Sequence, residues 1–106
     1  MIQIHFILSD GSRLSFEARP GDTVMDVALD NGVPGIIAQC GGGATCCTCH
    51  CWVRPPWSAR FSEPPSYERE LLDYAWGMDE HSRLSCQLTL DAAHADLEVF
   101  VPEQQA

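Results

Sequence analysis

Positive charge is scarce in this sequence: six Lys and Arg stand against fifteen Asp and Glu, a formal charge of −9 at pH 7. So acidic a chain repels phosphate backbones and anionic lipid, which argues against nucleic acid and membrane as partners and favours a basic protein. Long apolar runs are also missing, since no window approaches the roughly 18 apolar residues of a membrane span. The opening MIQIHFILSDG carries neither the basic segment nor the long apolar core of an export signal. A cytoplasmic protein, or an organelle protein after processing, is expected. Internal repeats and low-complexity tracts are absent, and 106 residues suit one modest core. The expectation is a single domain over 1–106 with no separate substrate or nucleotide domain.

What is present begins with alternation. Ile2, Ile4, Phe6 and Leu8 alternate with more polar residues, Asp10-Gly11 marks a turn, and Leu14, Phe16 and Ala18 alternate again, so the sequence opens on a β-hairpin. After Pro20-Gly21-Asp22, Thr23 and Asp26 have the spacing of a capping box, Val24, Val27 and Ala28 form an apolar face, and Gly32 can stop the helix, which spans about 23–31. Further on, Trp52 to Arg54 and Trp57 to Phe61 read as short strands separated by Pro55-Pro56. Ser66 can cap a second helix from about Tyr67 to Trp76, with Leu71, Leu72 and Ala75 on its apolar side and Glu68, Glu70 and Asp73 largely off it. Gln87 to Leu90 and Leu97 to Val101 read as strands around the polar turn Asp91 to Asp96. The sum is an α+β fold, a mixed sheet with a crossing helix.

Five of the six cysteines fall within CGGGATCCTCHC, residues 40–51. In a reducing compartment such clustering points to metal or redox chemistry rather than disulfides. Cys40, Cys46 and Cys49 are spaced C-x5-C-x2-C, and Cys86 stands alone much later. A C-x2-C pair lets two thiolates converge on one centre, glycines let the backbone wrap it closely, and a distant cysteine closes the cage. Four thiolates around two irons fit this arrangement, with a loop one residue longer than the C-x4-C-x2-C of plant-type [2Fe–2S] ferredoxins.

CGGGATCCTCHCWV, the later RLSCQL, and the hairpin and helix before them resemble the adrenodoxin and putidaredoxin group of [2Fe–2S] ferredoxins along nearly the whole chain. The resemblance implies a β-grasp fold with a cluster-binding loop, and a [2Fe–2S] cluster held near the surface by Cys40, Cys46, Cys49 and Cys86. It also implies an electron-transfer protein rather than an enzyme. The chain is expected to shuttle single electrons from an NAD(P)H-dependent, FAD-containing ferredoxin reductase to a haem-thiolate monooxygenase of the cytochrome P-450 type. A ring-hydroxylating dioxygenase and the machinery of iron–sulfur cluster assembly are the alternative acceptors. Relatives place partner-docking carboxylates on the second helix, which matches Glu68, Glu70 and Asp73 here, Glu70 and Asp73 best. A solvated face is the competing account of the same charges. A small acidic shuttle that binds two partners in turn is expected to be a monomer.

Other readings compete for the same letters. Cys46 to His50 also matches C-x-x-C-H, the attachment motif of a c-type haem, but that would leave Cys40 and Cys86 unexplained. A structural zinc site would want a second close pair beside Cys86, and a thioredoxin-like pair would want a βαβ context. Under the cluster reading Cys47 and Cys51 are surplus and are expected to act as small hydrophobes, with ligand swapping or oxidative lability as the competing account. His50 ties the loop to the body by hydrogen bonds, because a Rieske-type centre would need a second histidine. Trp52, Trp57 and Trp76 are assigned to packing rather than electron relay. The sequence departs from its relatives at Tyr67 and Arg69, where vertebrate-type members are acidic, and at PEQQA, which lacks a terminal aromatic. Gln39 also stands where an acidic residue is common, removing one charge beside the first ligand.

Overall fold

The structure is a computed structural model that describes residues 2–33, 50–73 and 77–103. Its strands are β1 (Ile2–Ile7), β2 (Arg13–Ala18), β3 (His50–Trp52), β4 (Ser82–Leu84) and β5 (Leu97–Phe100), and its helices are α1 (Val24–Asp30) and α2 (Ser66–Leu72). The five strands form one sheet in the order β2-β1-β5-β3-β4. β1 and β5 run parallel, with Ile4 opposite Leu97, and the other pairs are antiparallel. The expected α+β arrangement with a mixed sheet is therefore present.

Local sequence accounts for the N-terminal third. Ile2, Ile4 and Phe6 point into the core while Gln3 is exposed, and Phe6 meets Phe16 across the hairpin at 6.2 Å between ring centroids. The capping box forms as spaced: Thr23 Oγ1 accepts from Asp26 N–H, and Asp26 Oδ2 accepts from Thr23 N–H, both at 3.1 Å. Such a cap is worth about 1 kcal/mol, appreciable for a helix of seven residues. α1 then buries Val24, Met25, Val27 and Ala28, and Gly32 follows its end at φ +65. Phe6, Ile4, Leu84, Leu88, Leu97 and Val99 make up much of the core.

Beyond residue 50 the expectations need correction. The strand expected at Trp52 to Arg54 lies two residues earlier, at His50–Trp52, because it pairs with β4, a three-residue strand with no readable alternation. The strand expected at Trp57 to Phe61 is a 3₁₀ turn over Trp57–Arg60, in which Ser58 N–H donates to Arg54 and Ala59 N–H to Pro56. Ser85–Gln87 is a second 3₁₀ turn, so Gln87 to Leu90 is not a strand of the sheet. Its latter half is extended and bonds residues 21–24: Val24 N–H donates to Leu88 O, and Leu90 N–H to Asp22 O. The polar turn at Asp91 to Asp96 contains a third 3₁₀ turn, Ala92–His94. α2 begins as expected, although Ser66 is its first residue and no side chain caps it. Positions 74–76, where the helix was expected to finish, lie outside the described residues.

Candidate metal centre

Cys86 is the one expected cluster ligand among the described residues; Cys40, Cys46 and Cys49 lie outside them, as does Cys47. The thiol sits in the Ser85–Gln87 turn at 8% exposure, and Leu88 N–H closes the turn on Ser85 O. Gln87 Nε2 donates to Cys86 Sγ at 3.4 Å. On the other side in sequence, the fully buried Ser85 hydroxyl has no hydrogen-bond partner among the described residues. A sulfur that accepts from a neighbouring amide suits an anionic, metal-ligating thiolate, so the residues present fit a cluster.

The strand leaving the cysteine loop is anchored at once. His50, fully buried, is hydrogen-bonded through Nε2 to Ser82 Oγ at 2.8 Å, and that oxygen also accepts from Asp79 N–H. Its ring meets Trp52 edge-on at 5.3 Å. Trp52 in turn donates from Nε1 to Gly77 O at 3.1 Å. A side chain at position 77 would be strained by the backbone, whose φ is +72, and crowded, because a Cβ would lie 3.0 Å from the Trp52 ring. His50 is thus the tie expected of it, and Trp52 joins β3 to the segment after α2. Trp57 packs half-buried against the core, and Trp76 lies outside the described residues.

Cys51 is fully buried on β3. Loss of solvent pushes its thiol up to about 12, with Arg83 opposing the rise and Glu68 and Cys86 adding to it. A buried protonated thiol is a small hydrophobe. Iodoacetamide near neutral pH should leave Cys51 unlabelled in the folded protein and label it in urea, as read by peptide mass spectrometry. Cys47→Ala combined with Cys51→Val should keep the visible cluster bands, and bleaching would show that one of the two is a ligand.

The three docking candidates on α2 separate. Glu70 and Asp73 are exposed, but Glu68 is fully buried, which corrects the expectation for that residue. Its Oε2 accepts from Arg83 Nε at 2.8 Å and from Leu84 N–H at 2.9 Å, and its Oε1 from Arg83 Nη2 at 3.2 Å. Arg83 Nη1 also donates to Ser62 O. Glu68 therefore fastens α2 to β4 and presents nothing to a partner. The signal existed in the sequence: positions 68, 71, 72 and 75 share one helical face, and the residues around 68 there are apolar. Beside α2, Asp73, Asp79, Glu80 and Glu63 border a shallow groove of about 420 Å³.

Residues 7–91 match the family model described as a 2Fe-2S iron-sulfur cluster binding domain. Rhodocoxin of Rhodococcus erythropolis is 39% identical over 106 residues, 99% of each chain. The chain belongs to the adrenodoxin-type [2Fe–2S] ferredoxins. Among solved structures, a ferredoxin from Rhodopseudomonas palustris HaA2 superposes on this ferredoxin with a TM-score of 0.95 at 37% identity, covering 98% of this chain and 99% of that one. Putidaredoxin in its covalent complex with putidaredoxin reductase superposes at 0.90 and 29% identity, covering 96% and 99%.

Membership brings the β-grasp fold, the [2Fe–2S] cluster and a role in electron transfer, and it sets aside the haem, zinc and dithiol readings of the cysteine loop. Among the described residues no helix of this ferredoxin is long and apolar enough to cross a membrane.

Proposed function

We propose that this ferredoxin carries single electrons in the cytoplasm, as a monomer, from an NAD(P)H-dependent FAD reductase to a haem-thiolate monooxygenase. Its cluster is assigned to Cys40, Cys46, Cys49 and Cys86. The observation that carries the reading is the likeness, over 96% of the chain, to a putidaredoxin captured on its reductase. The bound cluster supplies storage for one electron, and the rest of the work falls to side chains. Cys86 anchors from the Ser85–Gln87 turn, His50 ties the outgoing strand to Ser82, and the exposed carboxylates of Glu70 and Asp73 meet a basic partner surface. Charge of this kind speeds encounter more than it adds affinity.

Anaerobically purified protein should contain two irons and two acid-labile sulfides per chain and be EPR-silent when oxidised, with an S = 1/2 signal after one-electron reduction. Zinc, haem or no metal would overturn the reading. Glu70→Gln with Asp73→Asn should slow reduction by the reductase roughly fivefold at low salt and flatten the salt dependence, as stopped-flow absorbance would show. Unchanged rates would assign these carboxylates to a solvated face.

A further inference from the structure

Tyr67 stands on α2, half-exposed at 51% of its surface, one turn before Glu70. Its hydroxyl donates to Gln87 Oε1 at 2.8 Å, and Gln87 Nε2 donates to Cys86 Sγ at 3.4 Å. The two bonds require one another. A ligand thiolate only accepts, so the amide must turn its NH2 toward sulfur, which leaves its oxygen facing out for a phenol to donate to. The phenol in turn holds the amide in the orientation that sulfur needs. Among the described residues no other hydrogen bond holds this side chain, and Gln87 lies in a turn of three residues and is itself only half-buried.

We propose that Tyr67 is a positioning residue for the reduction potential, acting through Gln87 on the sulfur of Cys86, so that the helix carrying Glu70 and Asp73 is wired by hydrogen bonds to a cluster ligand. The inference rests on Cys86 being a ligand. Reduction adds negative charge to the cluster and its thiolates, and a donor to that sulfur stabilises the reduced form more than the oxidised one. Fixing the donor raises the potential. Loosening it lowers the potential.

The test is a redox titration of the cluster-loaded protein, followed by visible absorption and EPR, on Tyr67→Phe, Gln87→Met and the pair. Tyr67→Phe removes one exposed hydroxyl and leaves the ring in place, so folding is undisturbed. Gln87→Met is expected to shift the reduction equilibrium about fivefold toward the oxidised form, ~40 mV at 59 mV per tenfold for one electron. Tyr67→Phe is expected to shift it roughly twofold in the same direction, and to add nothing when Gln87 is already Met. An unchanged potential in Tyr67→Phe, or the same shift with and without Gln87, overturns the proposal. Cys86→Ala separates the two levels of failure. If it keeps wild-type iron and absorption, the ligand assignment has failed; if it loses them while Tyr67→Phe is silent, only the relay has failed.

Discussion

Glu68→Ala is expected to lower the unfolding free energy by about 3–5 kcal/mol, the cost of breaking a buried ion pair by removing one member. The lost carboxylate accepts three hydrogen bonds, two from Arg83 and one from the buried Leu84 N–H. Alanine would leave those donors without an acceptor, and the Arg83 side chain, 12% exposed, could not turn fully to water. For a domain of about this size the melting midpoint should fall on the order of 15 °C or more. Replacing both partners by apolar residues of similar size, Glu68→Met with Arg83→Leu, should recover much of the loss, because no charge is then stranded. Glu70→Ala, on the opposite side of α2 from Glu68 and exposed, should change stability by no more than about 0.5 kcal/mol. Calorimetric melting of the four proteins checks the set, and a Glu68→Ala midpoint equal to that of the parent would refute the structural role.

Cys86→Ala is expected to abolish stable cluster binding, with iron per chain falling at least roughly tenfold and the visible bands lost. The other three proposed ligands fall within ten residues of sequence, 40–49, so Cys86 would be the ligand that joins the cluster to the β3–β4 side of the sheet. Its loss opens one corner of a four-thiolate cage. Cys51 is the nearest test of specificity, since it too is buried and is assigned no iron. Iron analysis after identical reconstitution of Cys86→Ala and Cys51→Val decides the matter: equal loading would exchange or cancel the two assignments.

Which features could be read from the sequence follows the range of the interactions that fix them. The β1–β2 hairpin and the Thr23 cap depend on neighbours within a few residues, and both form as spaced. β4 exists because Ser82–Leu84 finds His50–Trp52 across thirty-odd positions, and three residues carry no period of their own. Trp57 to Phe61 was expected as a strand, whereas Pro56, in the αR region, leads the backbone into a 3₁₀ segment. Glu68 was misplaced for a different reason. A charge on a helix is exposed by default, and only the partner supplied by Arg83 makes burial tolerable. At the site, cysteine spacing announced the metal chemistry directly, because ligands must be near one another in whatever fold surrounds them. The link from Tyr67 through Gln87 to Cys86 joins positions twenty apart and had no local signature.

β5 occupies the middle of the sheet, parallel to β1 on one side and touching β3 on the other. Among the described residues the hairpin and the β3–β4 ribbon share no strand pairing of their own; Leu97–Phe100 is what makes them one sheet. A chain cut before Leu97, or a folding intermediate in which that segment has not yet docked, would present two open edges at once, along β1 and along β3. Unpaired N–H and C=O rows of this kind recruit strands from other molecules. Both of these edges are thus covered in this ferredoxin by four residues drawn from far along the chain, and the interval before they insert is when it is most exposed to aggregation.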